Sequence, residues 1–145
     1  MIRARLGNSA AQLGTAHVEY SPHYGGLLFM EHGLAKVVGF PLQPNHKAYA
    51  LFTLVPGLQG LLELVGGLLL ALGLFTRAVA FILAGNMAVA YFMVHAPRGF
   101  FPLLNGGELA IVYCFVFLYL WVAGGGKWSL DRLRAPASAL SPSRG

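Results

Sequence analysis

A chain of 145 residues is long enough for one domain, and this one is 57% hydrophobic and only 10% charged, with a mean hydropathy of +0.64. Soluble domains carry about 25% charged residues, so the composition excludes an ordinary soluble globule and points to a protein that meets lipid. The formal charge of +5 is spread along the chain without a basic cluster, which argues against a nucleic-acid partner, and the single cysteine, Cys114, excludes internal disulfides and dithiol chemistry.

Residues 1–21 form a polar N-terminal segment. Arg3 and Arg5 could open a signal peptide, but "LGNSAAQLGTAHVEYSPHY" is too polar to follow as its apolar region, so no cleaved leader is expected. A transmembrane helix needs about 20 mostly apolar residues. Four stretches approach that length: about 22–40, 56–75, 77–95 and 106–123. Turn chemistry separates them, in "FPLQPN", "FTR" and "HAPRGFFPLLNGG", and "GGGKWSLD" ends the fourth. The expected fold is therefore all-α, an integral membrane four-helix bundle. "SLDRLR" reads as the start of a short interfacial helix with Ser129 as N-cap and Asp131 in its first turn. Residues 132–145, rich in Pro and Ser, read as a disordered basic tail.

Arg3, Arg5, Arg77, Lys127, Arg132, Arg134 and Arg144 fall on one side of these spans, and Lys47 and Arg98 on the other, with Lys36 near that edge. The positive-inside rule then puts both termini in the cytoplasm of a bacterial inner membrane. Trp121 and Trp128 fall near the same interface, where indoles settle.

The second span holds an acid, Glu63. Its insertion costs about 2.5–3.5 kcal/mol at a span's centre, while the nine leucines from Leu58 to Leu74 together return about 4 kcal/mol. Leucine wins, and the span inserts. Gln59, Glu63, Gly66, Gly67, Leu70 and Ala71 recur at helical spacing, so Glu63 shares a face with small residues and is expected to point at a neighbouring helix. The first span is weaker, because Glu31, His32 and Lys36 interrupt its apolar residues. In the third, Ala80, Ala84 and Ala88 form a small-residue ridge, and Asn86 and His95 lie about 180° apart on an unbroken helix.

Depths follow from a rise of 1.5 Å per residue: Glu108 about 3–5 Å below the outer surface, Glu63 about 10 Å, Glu31 and Asn86 about 13 Å. His95, Arg98 and Asn105 fall at the outer rim, and the cytoplasmic half is close to purely apolar. Two readings stay open. The acids serve assembly, neutralised or paired with Lys36 or Arg98. Alternatively they line a polar pocket in the outer half, with Glu63, Glu108 and His95 exchanging protons and Glu31, Lys36, Gln59, Asn86, Arg98 and Asn105 binding substrate. His32 and His95 differ too much in depth to share a haem, Cys114 reads as a packing residue, and no metal-ligand set or phosphate loop is present.

"GLLFMEHGLAKVVGF", "ELVGGLLLALGLFTR", the pair Met87 and Ala90, "HAPRGFF", "NGGE" and "GGGKWSLD" together resemble the DoxX family of small bacterial and archaeal membrane proteins, from about Gly25 to Asp131. The family positions matched are Lys36, Glu63, Gly66, Gly67, Arg77, His95, Glu108 and Asp131. The resemblance implies a four-helix inner-membrane bundle, in a family named for a subunit of a quinol-oxidising system. The segment before Gly25, with His17, Glu19 and His23, is more polar than the family pattern. With no flavin, iron–sulfur or dithiol motif, the chain carries no intrinsic cofactor. A quinone is the group it would bind, and electrons must come from a partner redox protein or a soluble donor. A homo-oligomer is the other expected partner. The alternative is a non-catalytic assembly or scaffold protein. A solute or proton conductor is disfavoured by the apolar cytoplasmic half.

Overall fold

The computed structural model describes residues 22–41 and 57–134, and these are helical with connecting turns. The polar segment 1–21, Lys47, Pro56 and the tail beyond residue 134 lie outside the described residues. Helix α1 covers 22–37, α2 Gln59–Ala71, and α3 Thr76–Ala90. A π-helical turn, Tyr91–His95, and a 3-10 turn, Ala96–Arg98, continue α3. Pro97 has no N–H for the Met93 carbonyl, so the α pattern cannot run through it and the backbone opens just before. Short helix α4, Pro102–Asn105, leads to α5, Glu108–Ala123, and α6, Leu130–Arg134.

Helices α1 and α2 cross backbone to backbone. A Cβ added at Gly67 would lie 2.6 Å from the Met30 nitrogen, and one at Gly33 would strike the Leu64 backbone. Small residues on both helices let the main chains touch. Helix α3 packs against α2 and, more extensively, against α5. Phe29 joins α1 to α5, edge-on to Phe117 at 4.8 Å between centroids and tilted against Tyr113 at 5.1 Å. The buried core is Phe29, Leu70, Val79, Ala80, Leu83, Ala84, Met87, Ala90, Phe117 and Leu120.

Polarity runs opposite to that of a soluble bundle. On α2, Leu61, Val65, Leu68 and Leu72 face outward, while the acid Glu63 is only 2% exposed. Phe81, Ile82, Val89, Phe92 and Met93 on the third helix and Val112, Phe115 and Val122 on α5 are also exposed. Contiguous apolar surface of this kind is what a soluble monomer avoids.

The continuous helix Thr76–Arg98, with 23 residues, is the one among the described residues that is long and apolar enough to cross a bilayer. Helices α2 and α5 are apolar but shorter, at 13 and 16 residues. They reach about 20 and 24 Å against a hydrocarbon core of about 30 Å. Sequence counting made these spans longer because it included residues that fold as turns. Gly73, at φ 63°, closes α2, and Gly106, at φ 71°, delays α5 until Glu108.

The far end of α2 is tied by one earlier and one later segment. His23 Nδ1 donates to the Ala71 carbonyl at 2.7 Å, one of the oxygens a helix end leaves without a partner. Leu130 N donates to Leu72 O at 3.3 Å and Asp131 N to Gly73 O at 3.0 Å. Ser129 presses on Gly73 so closely that a side chain there would collide with it. Asp131 lies in the first turn of α6, as expected, and its side chain also accepts from Phe75 N at 2.6 Å and Thr76 N at 2.7 Å, capping α3.

Candidate functional site

Near the last turn of α1, Lys36 Nζ sits 2.6 Å from Glu63 Oε1 on α2, with the two side chains 23% and 2% exposed. Gln59, one turn before Glu63 on the same helix, donates Nε2 to the same oxygen at 3.2 Å. Both donors therefore converge on Oε1. Oε2 is buried and has no hydrogen-bond partner among the described residues, which is costly for a carboxylate oxygen away from water.

A cavity of about 190 Å³ opens beside this group, with Lys36, Gln59, Glu63, His32, His95 and Tyr113 as its polar lining. Phe29, Met87, Ala90, Leu109 and Ala110 supply its apolar walls. The volume is below the roughly 300–1,000 Å³ of drug-sized sites, so the cavity admits one small ring or a few waters. His95 reaches it from the π turn. Its Nδ1 lies 3.1 Å from the Asn105 carbonyl, which can only accept, so Nδ1 carries a proton and Nε2 is the ring nitrogen left for a ligand. The site thus combines two groups able to exchange protons, the Glu63 carboxyl and the His95 imidazole, with the Lys36 amine and the Tyr113 phenol.

Of the residues singled out by sequence, Glu63, Lys36, Gln59, His95 and His32 line this cavity, although residue counting puts the two histidines at different depths. Glu31, Glu108, Asn86, Arg98 and Asn105 do not line it. Glu31 is exposed and lines a separate hollow of about 110 Å³ with Pro41 and Tyr113. It precedes Lys36 by five residues, about 140° around the helix. Glu108 is exposed in the first turn of α5, five residues and the same angle from Tyr113. There its charge suits the helix N-terminus. Asn86 lines a third hollow, between α2 and α3, together with Gln59. Its Nδ2 is buried without a partner among the described residues. Arg98 is exposed. Asn105 is buried and braces the loop, donating Nδ2 to Gly99 O and accepting from Gly107 N, both at 2.8 Å.

Sequence reasoning missed Tyr113, Phe29 and Met87 as lining residues. Helix α5 is apolar around its whole circumference, so no periodicity marks the face carrying Tyr113. Among the described residues, no three His, Cys, Asp or Glu side chains gather as a metal site.

Residues 24–96 match the DoxX family profile. An uncharacterized protein of Haemophilus influenzae is 46% identical over 107 residues, covering 72% of this chain and 80% of the relative. A second uncharacterized protein of the same organism is 38% identical over 71 residues, covering 49% of this chain and 47% of its own. No solved structure matches the chain. A profile over half the chain, and a relative of this identity along most of it, establish that the chain belongs to the DoxX family.

Proposed function

We propose that this DoxX-family chain is a multi-pass protein of the bacterial inner membrane. In this reading α1, α2, α3 and α5 form a four-helix bundle with both termini cytoplasmic, and the Glu63 cavity in its outer half binds the head group of a membrane quinol. The chain would act as the quinone-binding subunit of a redox system. The exposed leucines of α2 and the exposed apolar side chains of α3 and α5 support the bilayer, since lipid is the solvent that suits them. The short reach of α2 and α5 is tolerable, because bilayers thin around short spans at a fraction of a kcal/mol per Å.

The observation that carries the ligand is the buried, unpartnered Oε2 of Glu63 beside a cavity sized for one ring. A quinol brings two O–H donors and, on oxidation, releases two protons and two electrons. Lys36 and Gln59 hold Oε1, which leaves Oε2 to accept a hydrogen bond and then a proton. His95 Nε2 offers a second acceptor, held by the Asn105 carbonyl behind it. Phe29, Met87 and Leu109 keep bulk water from the ring. Glu108, exposed at the same end of the bundle, suits onward release of protons to the outside. Electrons leave to a partner redox protein, since the chain has no group to hold them.

A second reading has its own support. The Lys36–Glu63 pair and the glycine crossing join α1 to α2 whether or not anything binds, as an assembly protein would require. One set of variants separates the two. The full-length chain is purified from membranes in mild detergent and its bound quinone is extracted and quantified by mass. Under the quinol reading, wild type retains close to one quinone per chain. Glu63→Gln and the all-apolar pair Lys36→Met/Glu63→Leu each retain at least tenfold less while still eluting as folded protein. Undetectable quinone in wild type, or equal retention in all three, leaves the assembly reading standing.

A further inference from the structure

The opposite end of the molecule carries an open recess of about 450 Å³, bounded by Arg77 and Ala78 on α3, glycines 124–126 after α5, and Asp131 and Arg132 on α6. Arg77 and Arg132 are exposed, and neither guanidinium has a hydrogen bond or ion pair with another described residue. Asp131 also borders the recess, but both its oxygens are committed to the amides of Phe75 and Thr76. Its charge is directed at the N-terminus of α3 rather than at a guanidinium, and among the described residues the recess lining carries two cations against this one acid.

The recess is continuous with apolar surface. Phe81 lies one turn beyond Arg77 and Ala78 on α3, and Trp121 one turn before Gly124 and Gly125 on α5. Their rings meet at 5.1 Å, and they are 54% and 45% exposed. On the other side stand Phe75, over whose ring Arg134 sits at 4.8 Å, and the exposed Leu133. A cationic mouth opening onto an aromatic track matches an amphiphile with an anionic head. A free anion would have no use for the track. Arginine's planar fork suits a phosphodiester in particular, and basic pockets between helices at the cytoplasmic face are a known form of lipid site.

We infer that this recess seats the head group of an anionic phospholipid of the cytoplasmic leaflet, with Arg77 and Arg132 on its phosphate and an acyl chain lying along Phe81 and Trp121. The inference rests on the membrane placement proposed above and is independent of the quinol. A lipid held there fastens the α3 and α5 ends to α6 and fixes the depth of the bundle in the membrane.

The test adds phosphatidylglycerol or phosphatidylcholine to the full-length chain in mild detergent and counts bound lipid by native mass spectrometry. Phosphatidylglycerol is expected to bind at least tenfold more tightly than phosphatidylcholine. Arg77→Gln/Arg132→Gln should abolish that preference, Arg77→Lys/Arg132→Lys should restore part of it, and Arg98→Gln, at the other end, should leave it intact. Equal retention of the two lipids by wild type overturns the site. So does an undiminished preference in the glutamine variant, or displacement of phosphatidylglycerol by millimolar inorganic phosphate, which would mark a site for a free anion. Membrane placement is read separately, by whether the chain stays in pelleted membranes after an alkaline carbonate wash. A chain that washes off defeats both proposals. One that stays but shows no lipid preference defeats only this inference.

Discussion

Asp131 accepts the backbone amide of Thr76 at 2.7 Å, across 55 residues of chain. Its other oxygen takes the amide of Phe75 at 2.6 Å, a residue held in the left-handed region at φ 52°. The N-terminus of the continuous helix Thr76–Arg98 is thus capped by a residue distant in sequence but lying at the same end of the molecule. This joins two stretches that the sequence presents separately, "GLFTR" and "WSLD". A carboxylate is well suited to the place, because it satisfies two unpaired amides while its charge meets the positive end of the helix dipole.

Asp131→Ala is expected to cost about 2 kcal/mol, at the upper end for an N-cap because both bonds are charge-assisted. Asp131→Asn keeps one acceptor and loses the charge, so about half that loss is expected. Thermal unfolding in detergent measures the cost, and hydrogen exchange locates it. The amides of residues 75 and 76 should exchange faster in the alanine variant while those at 110–120 do not. Unchanged exchange at 75 and 76 would show that the cap contributes nothing.

The Lys36–Glu63 pair should respond unequally to loss of either member. Lys36→Met strands a carboxylate that is 2% exposed, and breaking a buried pair this way costs about 3–5 kcal/mol. Glu63→Gln leaves an ammonium that is partly exposed already and can reach water along its own stem. It also keeps an amide oxygen for Lys36, so about 1–2 kcal/mol is expected. Unfolding midpoints in one detergent give the order. If Glu63→Gln were the more damaging change, the acid would not be the member that depends on its partner.

The inward face of α2 was legible because its pattern is periodic: Leu61, Val65, Leu68 and Leu72 recur on one side and Glu63, Gly66, Gly67 and Leu70 on the other, and the second set is buried. Glu31 and Glu108 were assigned to the pocket from depth alone. Depth says nothing about azimuth, and each lies about 140° from a lining residue of its own helix. Tyr113 was illegible for a different reason, since a helix that is apolar on every side has no phase to read. Pro97 signalled an irregularity, but not that the turn before it would be π-helical and set the angle of His95. The role of Asp131 could not be seen locally. Its neighbours suit a helix start, and only the tertiary fold brings it to Thr76.

Two glycine substitutions should differ in sign. At Gly67 a Cβ would lie 2.6 Å from the Met30 nitrogen and 2.8 Å from the Gly26 carbonyl oxygen, both backbone atoms that cannot give way without moving a helix. Gly67→Ala is therefore expected to cost about 1–3 kcal/mol by overpacking. At Gly85, in the exposed middle of α3, a Cβ meets nothing within 4 Å. Gly85→Ala should stabilise the protein by up to about 1 kcal/mol through helix propensity. Comparable unfolding midpoints for the two variants would mean that the α1–α2 crossing is not close-packed in the membrane.

Asn105 tests whether the loop behind the cavity sets the His95 ring. Its side chain donates to Gly99 and accepts from Gly107, and its own carbonyl holds His95 Nδ1. Aspartate at this position could still accept from Gly107 but could not donate to Gly99, leaving two oxygens facing each other at a buried site. Asn105→Asp is expected to lose about 2–3 kcal/mol, the cost of a buried group deprived of its partner, and to release the His95 ring with the loop. Bound quinone should then fall although Lys36, Gln59 and Glu63 are untouched. Measuring quinone retention and thermal stability on the same preparation separates the effects. Lost stability with full retention would show that His95 takes no part in holding the ligand.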